Sequence, residues 1–123
     1  MNRNPVGWFE IYVQEMARAR AFYEKVLGTQ LQQLAGADMD MWTFPMQDDT
    51  YGASGALVKM PGVPSGGGGT MVYFSCADCA VEAARAKDSG GQVVKDKFPI
   101  GQWGFIALVT DTEGNMIGLH SMQ

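Results

Sequence analysis

Glu10 and His120 are the side chains of this sequence best suited to moving a proton. A carboxylate and an imidazole gathered in an apolar cavity can serve as base and acid, because burial and neighbouring charge shift their protonation. The competing reading pairs Glu10 with a surface Lys or Arg and leaves His120, the only histidine, near a chain end. Five aromatic residues, Trp8, Trp42, Tyr73, Trp103 and Phe105, together with Met71, could wall a site for a planar or amphipathic ligand. For any one of these rings, plain core packing is the simpler account. Met41 and Met46 could add an adaptable rim.

Three further motifs are weaker. Cys76-Ala77-Asp78-Cys79 is a C-x-x-C at a strand-to-helix junction, where a helix dipole can lower a thiol pKa. No second cysteine pair accompanies it, so zinc is disfavoured, and two buried structural thiols are expected. Asp111 to Asn115 (DTEGN) has the chemistry of a hairpin turn and lacks the spacing of a calcium loop. The SGGGG stretch lacks the lysine and hydroxyl of a phosphate loop.

The elements that must position these residues alternate along the chain. Val6 to Gln14 reads as a strand, rich in β-branched and aromatic residues. Glu15 to Leu27 reads as a helix whose apolar positions Met16, Ala19, Phe22, Tyr23, Val26 and Leu27 recur every three or four residues, with Gly28 as its stop. Strands are expected at Gln30 to Leu34, Met39 to Phe44 and Ser54 to Met60. Pro61 to Gly69 is expected as a flexible linker. The order then repeats: a strand at Thr70 to Cys76, a helix at Asp78 to Ser89, and strands at Gln92 to Lys97, Gly104 to Thr110 and Met116 to Met122. An offset of 63 pairs Glu10 with Tyr73, Glu15 with Asp78, Gly28 with Gly91, Trp42 with Phe105 and Gly55 with Gly118, whereas the helix interiors match poorly and set Phe22 against Arg85. One α+β domain, 1–123, built from two βαβββ modules (6–60 and 70–122), is the expectation.

The run from Phe9 through Glu15 to Phe22-Tyr23 and Val26-Leu27-Gly28, with Gly104 to Leu108 followed by Asp111-Thr112-Glu113-Gly114-Asn115, resembles the vicinal-oxygen-chelate superfamily of glyoxalase I, bleomycin-resistance proteins and extradiol dioxygenases. The resemblance implies curled mixed sheets around a cupped cavity. It implies metal-ligand positions on the first and last strand of each module, which fall on Trp8, Met71, Gly55 and Gly118. None of these side chains can hold a divalent ion, which wants imidazole and carboxylate donors. No cofactor is therefore expected, and a metal could enter only as a partial site on Glu10 and His120. On the face it would share with Trp8, Glu10 would look into the cavity, and His120 would do so beside Gly118. The resemblance implies a small-molecule-binding protein of the bleomycin-resistance type. The alternatives are a glyoxalase-related lyase or isomerase with Glu10 as general base, a dioxygenase-like enzyme, or a protein-association module. It also implies a homodimer, since family members commonly pair edge to edge or swap modules.

Composition narrows the partners. At 123 residues and 46% hydrophobic, the chain can bury a real core. A net charge of −4 with no basic run argues against nucleic acid. No apolar stretch nears the roughly 20 residues that span a bilayer. Met1 to Pro5 is polar, so no signal peptide is expected, and two close-set cysteines fit a reducing, cytoplasmic setting.

Overall fold

The structure is a computed structural model that describes residues 4–36, 38–50 and 52–123. Residues 1–3, part of the segment expected to lack a signal peptide, lie outside the described residues. The chain forms two compact units, Trp8–Thr70 and a second made of Met71–Gln123 with residues 4–7. Each is an α+β module. No helix among the described residues is long and apolar enough to cross a membrane.

In the first unit β1 (Val6–Tyr12) leads into α1 (Met16–Leu27) and then β2 (Gln32–Gln33), β3 (Asp40–Thr43) and β4 (Ser54–Lys59). The strands lie in the order β2-β3-β4-β1, antiparallel except for β1 against β4. Alternation along β1 sends Phe9, Ile11 and Val13 towards α1, where they pack with Met16, Leu31, Phe44 and Leu57. Trp8, Glu10 and Tyr12 point to the opposite, open face. α1 ends at Gly28, whose φ of 64° is left-handed and natural to glycine.

The helix buries less of its apolar stripe than its spacing implies. Met16 is buried and Tyr23 half-buried, but Phe22, Val26 and Leu27 remain 59%, 62% and 59% exposed. The sheet meets the helix along a narrower arc than the stripe covers. The segment expected as a flexible linker is a hydrogen-bonded strap. Gly69 is buried, its N–H donates to the Gly66 carbonyl at 2.8 Å, and its own carbonyl accepts from the Tyr12 N–H at 2.7 Å. Gln14 Nε2 holds the Val63 carbonyl at 3.1 Å. Backbone pairing replaces the side-chain burial that this segment cannot supply.

In the second unit β5 (Thr70–Ser75), α2 (Cys79–Asp88), β6 (Gln92–Pro99), β7 (Phe105–Thr110) and β8 (Met116–Ser121) repeat the plan, with strand order β5-β8-β7-β6 and β5 parallel to β8. α2 is the better-capped helix. The Asp78 carboxylate accepts the Ala80 N–H at 3.1 Å and the Lys97 ammonium at 2.8 Å, and the lysine and the capped backbone hold its pKa below the usual carboxylate value. Its core is Cys79, Ala83, Ala107, Val109 and Leu119. The Asp111–Asn115 turn is as expected: Asp111 Oδ1 accepts the N–H groups of Glu113 and Asn115 at 2.8 and 2.9 Å. A 3-10 turn at Gly101–Trp103, absent from the sequence expectation, precedes β7.

The offset of 63 holds for the first strands and the helices but not for the faces of the last strands. Phe9 lies opposite Gly55 in the β1–β4 ladder, on the face that α1 covers. Gly118 lies opposite Tyr73 in the β5–β8 ladder, on the face away from α2. Leu57 and Leu119 are the true equivalents, 62 apart, so Ala56 rather than Gly55 corresponds to Gly118. A slip of one residue inverts every side chain of a strand.

Candidate binding site

The open face of the first unit carries the densest functional cluster. Glu10 sits mid-strand, between two aromatic residues spaced two positions away on either side. The Trp8 indole N–H donates to Glu10 Oε2 at 3.2 Å, and the Tyr12 hydroxyl donates to Oε1 at 2.6 Å. All three are half-buried, and their period of two fixes them on one face without help from a loop. Both carboxylate oxygens thus have a fixed orientation, and the strand ladder beneath keeps it rigid. Ala56 and Val58 of β4, which pair with Glu10 and Tyr12, are fully buried beside the cluster. Tyr12 escaped the sequence reading. Its spacing of two from Glu10 was the available signal.

The open face of the second unit carries Met71, Tyr73 and His120. Met71 and Tyr73 are buried, and the Tyr73 ring lies over Gly118. His120 is held in the β8 ladder opposite Ile106 and Ser75 rather than frayed. Its Nε2 lies 2.6 Å from the Trp103 carbonyl. A carbonyl only accepts, so Nε2 is the donor in this contact. Trp103, in the 3-10 turn, is 46% exposed.

Two of the six expected lining residues are on the wrong face. Trp42 pairs with Leu57 on the side of α1, where the Arg20 guanidinium stacks 3.5 Å above its ring and its indole N–H reaches Asp40 at 3.1 Å. Phe105 packs on the α2 core with the Lys97 ammonium 4.7 Å from its ring centre. Both satisfy a helix-to-sheet interface instead of an open face. Two cavities within single units, about 280 Å³ beside Ile11, Arg18 and Tyr23 and about 430 Å³ beside Lys87 and Val93, touch neither Glu10 nor His120.

A divalent metal does not fit the residues present. The first-strand ligand positions carry an indole at Trp8 and a thioether at Met71. Gly118 offers no donor, and its true equivalent Ala56 offers none either. Among the described residues, no three His, Cys, Asp or Glu side chains converge.

Of the two thiols expected to be buried, one is: Cys76 is half-buried. Cys79 is fully buried. Burial first, then the charge of Glu82, raises the Cys76 pKa from 9.0 to about 11. Its thiolate fraction at neutral pH therefore lies below that of an ordinary cysteine. Iodoacetamide should label the native protein slowly and the urea-unfolded protein fast, read by mass; rapid native labelling at neutral pH would restore the redox reading.

The family model described as Glyoxalase/Bleomycin resistance protein/Dioxygenase superfamily matches residues 6–119. The chain is 30% identical over 107 residues to the "Putative glyoxylase CFP32" of Mycobacterium bovis and of Mycobacterium tuberculosis. The match covers 87% of this chain but only 40% of those relatives. Among solved structures, methylmalonyl-CoA epimerase from Mycobacterium tuberculosis superposes with a TM-score of 0.70 at 16% identity, covering 97% of this chain and 88% of that one. A Streptomyces coelicolor methylmalonyl-CoA epimerase variant in complex with 2-nitronate-propionyl-CoA gives 0.68 at 16% identity, covering 96% of both chains. The hypothetical protein BH1468 from Bacillus halodurans gives 0.70 at 13% identity, covering 96% of this chain and 94% of that one. Likeness at such identity speaks for the fold.

Proposed function

Because the chain belongs to the Glyoxalase/Bleomycin resistance protein/Dioxygenase superfamily, we propose that it binds a small molecule against the open face that carries Trp8, Glu10 and Tyr12. The observation that carries this reading is the Glu10 carboxylate held at both oxygens by neighbouring aromatic donors, at 3.2 and 2.6 Å. A carboxylate fixed in this way among rings suits a ligand with a flat or apolar body and a hydrogen-bond donor or cationic group. On the second unit, Met71, Tyr73 and His120, with the exposed Trp103, are proposed as ligand contacts of that unit's own sheet face. The chain acts as a homodimer in the same reading, which the exposed apolar flank of α1 supports.

A second reading is an isomerase or lyase in which Glu10 is the general base. The fixed orientation of its oxygens favours it, because proton transfer demands a base held within hydrogen-bond reach of the acidic carbon. The carboxylate would take the proton from a carbon next to a carbonyl, the C–H electron pair moving onto the carbonyl oxygen as an enolate, and return it to either face.

Tryptophan fluorescence tests the site directly. Bleomycin and 2-nitronate-propionyl-CoA are the first probes, and a saturable change that Trp8→Phe removes is expected. A response that Trp8→Phe leaves at full size would place binding elsewhere and sink the reading. Methylmalonyl-CoA incubated with the protein in D₂O separates the catalytic alternative: deuterium at the α-carbon, lost in Glu10→Gln, marks the base.

A further inference from the structure

We propose that the hollow between α1 and the strap over 61–69 is a binding site for a small zwitterion, an α-amino acid with a short side chain. It lies on the α1 side of β1, away from Glu10, and stands apart from the open-face reading above.

The hollow measures about 280 Å³, which suits a ligand of few atoms. Ile11, Val13 and Ala19 contribute the apolar part of its lining, but most of the surface it presents is polar. The strap forms one wall. Its bonds from the Tyr12 N–H to the Gly69 carbonyl and from Gln14 Nε2 to the Val63 carbonyl keep Ser65 and Gly66 in that wall. A Cβ at Gly66 would meet nothing within 4 Å, so this side of the hollow is uncrowded.

Two opposite charges stand at the hollow. Arg18 Nη1 lies 3.4 Å from Glu15 Oε2, with the side chains 72% and 63% exposed. A strong charge-assisted bond closes to about 2.7–2.9 Å, so this pair is loose. An exposed pair adds little stability, and a ligand can part it at small cost. The guanidinium has further N–H donors in its planar fork, and the carboxylate has a second oxygen. A simple anion here would be repelled by Glu15, and a simple cation by Arg18. A molecule with a carboxylate and an ammonium one carbon apart satisfies both, the carboxylate on Arg18 and the ammonium on Glu15. Tyr23 and Ser65 add hydroxyls that can bond either group.

The second module uses the corresponding residues differently. Asp78 caps α2 through the Ala80 N–H and pairs with Lys97, whereas Glu15, at the same N-cap position of α1, makes no side-chain cap bond. Val81 stands where Arg18 does, and Ala86 where Tyr23 does. The charge pair and its phenol therefore belong to the first module alone.

L-alanine titrated into the ¹⁵N-labelled full chain tests the site by NMR. Saturable shifts of the amides from Ile11 to Ala19 and at Ser65 and Gly66 are expected, with a dissociation constant in the millimolar range. N-acetyl-L-alanine lacks the ammonium and L-alaninamide lacks the carboxylate, and each should bind at least ~10-fold more weakly. Glu15→Gln and Arg18→Gln should each cost a similar factor and barely move the melting temperature, since both side chains are exposed. Lys25→Gln, in the last turn of the same helix, should leave binding unchanged. No saturable shift by about 50 mM alanine would overturn the site. Equal binding of either blocked alanine would overturn the zwitterion, and shifts that survive both Glu15→Gln and Arg18→Gln would place the ligand elsewhere. None of these outcomes bears on Glu10, whose ligand is followed separately through Trp8 fluorescence.

Discussion

Replacing Gly118 with valine is expected to cost about 3 kcal/mol or more, lowering the melting temperature by roughly 10 °C. The cause is local. A Cβ built at 118 falls inside the Tyr73 ring, meeting its Cδ1, Cε1 and Cγ. That ring is buried on the neighbouring parallel strand and pairs with Gly118 in the ladder, so neither side can yield cheaply. The backbone at 118 has an ordinary φ, which makes the penalty one of overlap rather than strain. Tyr73→Ala alone should also destabilise, by removing the ring from the core. Together the two changes should cost less than their sum by at least ~1 kcal/mol, since removing the ring removes the overlap. Thermal and urea melts of the four proteins measure this. Strict additivity would mean that the ring does not occupy the space above Gly118.

Glu10→Gln should reduce ligand affinity by ~100-fold while moving the melting temperature by only a few degrees. The carboxylate accepts from two side chains on its own strand, and a charged acceptor facing a ligand donor adds about 1.5–3 kcal/mol, a factor of ten to a hundred or more in affinity. Glutamine keeps the volume and one acceptor oxygen, so the open face stays packed. Tyr12→Phe should fall between the two, because it removes one hydrogen-bond donor to the carboxylate without removing the charge. Titrating each variant with the probe that binds the native protein, alongside its melt, separates the roles. A variant that binds normally but melts far earlier would make Glu10 a structural clasp for Trp8 and Tyr12.

Much of the scaffold was legible in the sequence. Gly28, Asp78 and the DTEGN turn act through local backbone chemistry, and local chemistry survives without tertiary context. Spacing alone placed a helix over Glu15 to Leu27, and the structure starts it one residue later with Glu15 as the N-cap. Faces were harder. Trp42 and Phe105 have the same residue types and strand settings as Trp8 and Tyr73, and only ladder register tells which ring a helix covers. Gly55 and Gly118 align perfectly at an offset of 63 and still point to opposite faces. Exposure of Phe22 was likewise hidden, since a stripe at helical spacing does not state how wide the sheet beneath it is. The strap over 61–69 was misread because its ordering comes from backbone partners, which composition does not record.

The irregular register of β6 has its own consequence. Its pairing with β7 shifts twice, between Val93 and Lys95 and again between Lys95 and Phe98, and the strand closes on Pro99. The outermost strand of that sheet is thereby crooked, lysine-bearing and short of one donor, a poor template for another molecule's backbone. At the far side of the first unit, β2 has only two residues. Crowded solutions of this protein should therefore resist fibril growth by strand addition.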